Sequence, residues 1–229
     1  MRRLAATIVQ DMTIQFRNGF YLASGVVMLV WLGLWQLVPA GTPLPAGLII
    51  PTLVVLNLVF TAFYFMAALV LLEKGQGVLW GLAVTPLRRG EYLLGKIISL
   101  AWLALLESGL FIGLMAGWHW NPVWLIAGLL YSCCLYGLLA YLTVSRYQAI
   151  NDYLLPSGLI VAFLQLPLLD HLGLWNHWLF YFHPLRPGLW LMQAAFEPLP
   201  AGQMLLALLA GTVWLALTLG LARRIDWQP

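Results

Sequence analysis

Residues 73–96 read EKGQGVLWGLAVTPLRRGEYLLGK, and the placement of this stretch decides the fold. Charge at Glu73 and Lys74 stops one long apolar run, and Lys96 stands before the next. Between them Gln76 to Val84 has helix length, with Gly75 and Gly77 at its start. Thr85-Pro86 ends it, because the residue before a proline is pushed out of the helical region. The sequence therefore predicts a short helix at a membrane surface. Val78, Leu79, Trp80, Leu82, Val84 and Leu87 make it too apolar to stand uncovered in water, so it either docks on a partner or sinks among lipid headgroups.

Apolar runs extend on both sides, at about 21–38 and 47–72 before the stretch and at 97–117, 123–145, 153–169 and 203–222 after it. Each matches the roughly 20 residues that a helix needs to cross a bilayer. The expectation is an all-α integral membrane protein of six transmembrane helices in a single domain over 1–229. Composition agrees. The chain is 62% hydrophobic and 8% charged with a mean hydropathy of +0.89, whereas soluble domains carry roughly 25% charged residues. No mixed stretch on the order of 100 residues is left for an ATPase, kinase or nucleic-acid-binding domain, so no nucleic acid partner is expected.

Charge placement orients the spans. Arg2, Arg3, Arg17, Lys74, Arg88, Arg89, Lys96, Arg146, Arg223 and Arg224 fall on one set of connections, and Arg186 alone falls on the other. Basic residues favour the cytoplasmic side, which predicts a multi-pass protein of the plasma (inner) membrane with both termini inside. Residues 1–20 are expected to form an interfacial helix rather than a cleaved signal. Leu4, Ala5, Ile8, Val9, Met12, Phe16 and Phe20 recur on one side, and Arg3, Thr7, Gln10, Arg17 and Asn18 on the other. The adjacent Cys133 and Cys134 read as small buried residues and do not make a CxxC site.

Within the spans, Glu107 is an ionisable group at membrane depth, a placement that costs on the order of 3 kcal/mol and marks either a buried pair or a pathway. Both readings stay open: a bond to an adjacent helix, or a central cavity for a cationic substrate. Ser108 is its neighbour, and Gly109, Gly113 and Gly117 have the spacing for close helix approach. Asn57 and Gln165 read as interhelical hydrogen-bonding residues and as candidate pathway residues.

The outer side carries all four histidines. Segment 171–202 is too short and too broken, at Pro184, Pro187 and Pro198, to cross; it should lie on the membrane or dip in and return, capping the outer end of a pathway. Its tryptophans and tyrosines make an interfacial belt. His171, His177, His183 and Arg186 are candidate outer-gate residues. A metal or haem site using Asp170, the histidines and Glu197 is the sharper reading, but the histidine spacing matches no ligand motif, so no metal is assigned. A pH-sensing gate remains between these readings.

The order of Glu73, Gly75, Gly77, Leu79, Leu82, Thr85, Pro86, Leu87, Arg88, Glu91, Leu94, Gly95 and Lys96 resembles the inner loop of the ABC-2 type transporter permease family, and within it the small drug-exporter permeases. The resemblance covers essentially the whole chain. It implies a coupling helix that fits a separate ATP-binding subunit, two copies of that ATPase carrying ATP and Mg, and a second permease chain as homodimer or heterodimer. Coupling would fall to Glu73, Gly75, Gln76, Gly77, Val78, Leu79, Trp80, Leu82, Thr85, Pro86 and Arg88. Where relatives often read Gly-Thr-x-Glu, this chain has Gly77, Val78, Leu79, Trp80.

The chain has no GxxxxGK[ST] phosphate loop, so energy from ATP would arrive through another polypeptide. The expected function is thus an exporter permease without catalytic residues or cofactors of its own, moving a drug, lipid or peptide by alternating access. The alternatives are an ion-gradient transporter, a non-transporting assembly or immunity factor, and, least favoured, an intramembrane enzyme, for which Glu107 has no histidine at its depth.

Overall fold

The computed structural model describes residues 2–37, 45–78, 81, 87–116 and 120–225. Among them every regular element is a helix, and each apolar run becomes one. Helix α1 spans Arg2–Arg17 and α2 spans Phe20–Gln36, separated by a 64° bend. Gly19 makes the bend, with φ at +75°, a region where a side chain would be strained. The second span is composite: α3 (Ala46–Leu58), a π-helical stretch (Val59–Tyr64) and α4 (Phe65–Gly75). Helices α5 (Arg89–Ala116) and α6 (Pro122–Val144) form the third and fourth spans. Asn121 caps α6, its side chain accepting from the Val123 N–H at 3.0 Å, with Pro122 in the first turn.

The fifth span is α7 (Ile150–Leu164) continued, after a turn, by α8 (Pro167–His171). A 3-10 turn (Trp178–Phe182) and a short helix α9 (Arg186–Gln193) precede α10 (Ala201–Ala222), the sixth span. Five of these segments are long and apolar enough to cross a membrane by themselves; the bent α1–α2 pair reaches that length only if its two helices are taken as one span. Helix α2 alone has 17 residues, which at ~1.5 Å per residue reaches about 25 Å, near the lower limit for a span.

The third span starts earlier than the sequence suggests, at Arg89 rather than at Ile97. Arg88 caps it: its backbone N–H donates to the Glu91 carboxylate at 3.0 Å, the reach-back half of a capping box. One end of the bundle collects Arg17, Lys74, Arg88, Arg89 and Arg223; the other collects the aromatic 3-10 turn and α9. These are called here the basic end and the aromatic end.

The second, third and fourth spans form the centre, with Val55, Leu58, Phe63, Met66, Ala104, Ile112 and Tyr136 fully buried, while the fifth and sixth spans turn most of their surface outward. Glycines set the tightest contacts, though not the expected ones. Gly109 meets nothing within 4 Å, whereas Gly128 and Gly188 let α9 sink against α6 and Gly95 lets α1 cross α5 over Thr7. Arg186 to Met192 are thereby buried, so segment 171–202 divides into an exposed aromatic turn and a helix inserted in the bundle. Cys133 is buried and Cys134 partly so, both as free thiols.

Candidate functional site

The basic end holds a buried polar knot. Lys96 is completely buried, and its Nζ donates to Glu73 Oε1 at 2.5 Å and to Asp11 Oδ1 at 3.0 Å. The Tyr92 hydroxyl donates to Glu73 Oε2 at 2.5 Å, and the ammonium lies 4.7 Å from the Tyr92 ring centre. Next to it Gln15, also completely buried, donates through Nε2 to Ser99 Oγ at 2.7 Å. Burial pushes the Asp11 carboxyl up, against the pull of the Lys96 ammonium. Lys96 is therefore not a loop marker at a water boundary. Two carboxylates from different elements let one cation sit inside the protein, which an unpaired charge does not do.

This knot gives α1 an inward polar stripe. Thr7, Asp11 and Gln15 recur every four residues and make the inward stripe, while Val9 and Phe16 are exposed. A helix beside a membrane can direct its polar stripe to protein and leave its apolar side to lipid. Asp11 and Gln15 escaped the sequence reading; their four-residue spacing was the available signal.

The predicted coupling residues divide. Glu73 is buried in the knot, where it accepts from Lys96 and Tyr92. Gly75, Gln76 and Gly77 are exposed, and Val78 is half-buried. Gln76 and Gly77 form a turn, and Val78 and Gly81 beyond it are helical. The turn closes α4, with Gly77 left-handed at φ +69° and its N–H donating to Lys74 O at 3.0 Å. Arg88 is exposed. Leu79, Trp80, Leu82, Thr85 and Pro86 lie outside the described residues. Lys74 reaches across to the end of the fourth span, donating to Ser145 O at 2.6 Å and Tyr147 O at 2.9 Å.

At mid-depth Glu107 is 5% exposed and bound from three directions. Oε1 accepts from Asn57 Nδ2 at 2.7 Å and from the Thr61 hydroxyl, and Oε2 accepts from the Ser24 hydroxyl. Three spans meet on one carboxylate. The π-helical stretch begins two residues after Asn57 and contains Thr61, as unwound turns inside spans often do beside polar sites. Ser24 and Thr61 were missed in the sequence, since hydroxyls in apolar runs are silent until register is known. An enclosed space of about 10 Å³ adjoins the carboxylate, lined by Met28, Trp31, Leu53, Asn57, Ser108 and Phe111. Among the described residues Ser108 Oγ has no hydrogen-bond partner. Gln165 stands outside this group and donates to the Tyr136 hydroxyl at 3.1 Å.

At the aromatic end the candidate residues take separate roles. His171 Nε2 pairs with Leu48 O at 3.1 Å, joining the fifth span to the second. His177 Nδ1 accepts from the Leu179 N–H at 3.3 Å and caps the 3-10 turn. His183 Nδ1 accepts from the Leu185 N–H at 3.2 Å, and burial presses its pKa down to about 4. Arg186 Nη2 lies 2.5 Å from Asp170 Oδ2. Among the described residues no three His, Cys, Asp or Glu side chains come together as a metal cluster.

Comparison with known proteins covers almost the whole chain. The sequence model of the fluoroquinolones export permease protein family matches residues 2–227. The chain is also similar to the fluoroquinolones export permease proteins of two strains of Mycobacterium tuberculosis, at 26% identity over 198 residues, 86% of this chain and 82% of theirs.

Proposed function

The chain belongs to the fluoroquinolones export permease protein family, and from that premise we propose that it is the membrane-spanning subunit of an ABC-2 type exporter driven by a separate ATPase. The family and the apolar helices support a multi-pass transport subunit. The finer reading is that two ATP-binding subunits, holding ATP and Mg, press on loop 73–96 of paired permease chains. An amphipathic or hydrophobic compound then leaves by alternating access. The relatives' names make a fluoroquinolone the first compound to test.

The observation that carries this reading is the Asp11–Lys96–Glu73 knot. Glu73 stands near the entrance of the loop and Lys96 lies two turns into the helix that leaves it, so a force on the loop is delivered to the second and third spans and to α1 together. Basic residues gathered at that end favour a cytoplasmic position for it and for both termini.

Expression with the ATP-binding subunit from a neighbouring reading frame tests the proposal. The expected result is a co-purifying complex whose ATP hydrolysis rises with drug and falls when residues 76–86 are deleted. A partner-free chain that still exports after that deletion would overturn it.

A further inference from the structure

Two recesses meet at the aromatic end. One, about 660 Å³, is almost wholly apolar and is lined by residues including Ile160, Phe163, Leu164, Leu179, Phe182 and Trp214. The other, about 430 Å³, is more open and polar, lined by Asp170, Asn176, His177, Trp178, Tyr181 and Arg186. His177 lines both, so an apolar and a polar recess adjoin across it and together make an amphipathic groove.

The polar recess contains an unusual cation. Arg186 is only 7% exposed and stacks on Trp190 and Tyr181, 4.8 and 5.6 Å from the ring centres. Its ion pair with Asp170 uses Nη2, and among the described residues the enclosed Nε and Nη1 have no hydrogen-bond partner. A guanidinium presents a planar fork suited to the oxygens of a phosphate, and a buried one with two unused nitrogens has capacity to spare. Asp170 leaves the pair without net charge, so a head group carrying both signs complements it better than an anion alone.

The apolar recess faces where bilayer chains lie, since Phe163, Leu179 and Phe182 on its wall are each more than half exposed. Trp178 and Tyr181, at the polar mouth, are the residue types that settle at headgroup level. We propose that this groove binds one phospholipid from the leaflet at the aromatic end, its phosphate on Arg186 and an acyl chain in the crevice between the 3-10 turn and the fifth and sixth spans. An ethanolamine head is favoured over choline, because only a primary ammonium can donate hydrogen bonds to Asp170. The site is separate from the loop and from Glu107, and it stands whether or not the chain works with an ATPase.

Native mass spectrometry of the full chain in detergent, with added phosphatidylethanolamine, phosphatidylcholine or phosphatidylglycerol, tests the proposal. One retained ethanolamine lipid is expected, displaced by an alkyl phosphate but not by inorganic phosphate. Arg186→Gln should weaken retention by at least about tenfold, the loss of a charge-assisted contact. Ile160→Trp should fill the crevice and do the same without touching the ion pair, which keeps the test decisive if Arg186→Gln does not fold. Asp170→Asn should shift preference towards phosphatidylglycerol. Equal retention by wild type and Ile160→Trp, displacement by inorganic phosphate, or a groove covered by a second copy in a lipid-free dimer would each overturn it.

Discussion

At the scale of single residues, Glu107 separates a structural role from a transporting one. Its three donors come from two hydroxyls and one amide, and the hydroxyls can reverse their role. Glu107→Gln keeps every bond: the amide oxygen accepts from Asn57 and Thr61, and the amide nitrogen donates to Ser24. We expect thermal stability in detergent close to wild type, with Glu107→Leu destabilised by ~1–3 kcal/mol or more as the donors are left unpaired. Drug export by Glu107→Gln then decides between the two readings, because a site for a cationic substrate loses function with the charge and a structural junction does not. Ser24→Ala should cost about 1–3 kcal/mol, while Ser108→Ala, which removes an unpartnered hydroxyl, should be close to neutral.

His183 gives a pH dependence of defined sign. Burial holds its folded pKa at about 4 against an ordinary 6.5, so the folded segment takes up a proton less readily than the unfolded one. Stability should be unaffected above about pH 6.5 and decline as pH falls from there towards about 4, and His183→Gln should flatten that part of the melting-temperature profile.

At the scale of elements, the spans were legible and their faces were not. An apolar run about 20 residues long is a local signal that needs no partner, which is why five of the runs are helices long enough to cross and the first is the 17-residue α2. The direction of α1 depended on Lys96, a residue far away in sequence that reads as a boundary and lies completely buried. The contact between α9 and α6 was hidden for a similar reason: Gly128 and Gly188 matter only when facing each other's helices.

A Cβ on Gly188 would collide with Ser132 Oγ, with the next nearest atom, Tyr131 Cδ1, 3.1 Å away. Gly188→Ala should therefore lower stability by ~1–3 kcal/mol. Ser132→Ala in the same chain should restore most of the loss in a double-mutant cycle of melting temperatures. Lys96→Met should cost about 3–5 kcal/mol by stranding Asp11 and Glu73, and adding Asp11→Asn and Glu73→Gln should recover much of it.

At the scale of the whole molecule, the two polar groups act as long-range fasteners in an apolar bundle. Gln15–Ser99, Asp11–Lys96 and Ser24–Glu107 join positions 84, 85 and 83 residues apart, the second residue of each pair lying on α5. Single-cysteine labelling in intact cells should place residues 76 and 224 on the cytoplasmic side and residue 176 outside; the reverse pattern would refute the orientation argued from basic residues. The same spacing also dictates an order of assembly. While the chain is being made, α1 and the first two spans emerge with Asp11, Glu73 and Ser24 already in place but without Lys96 or Glu107. Until the third span arrives, Asp11 and Glu73 have no cation between them and Ser24 has no carboxylate to bond. Insertion of the third span supplies both missing partners at once. A chain truncated before residue 96 should therefore be cut by added protease faster than the full chain, because none of these fasteners can close.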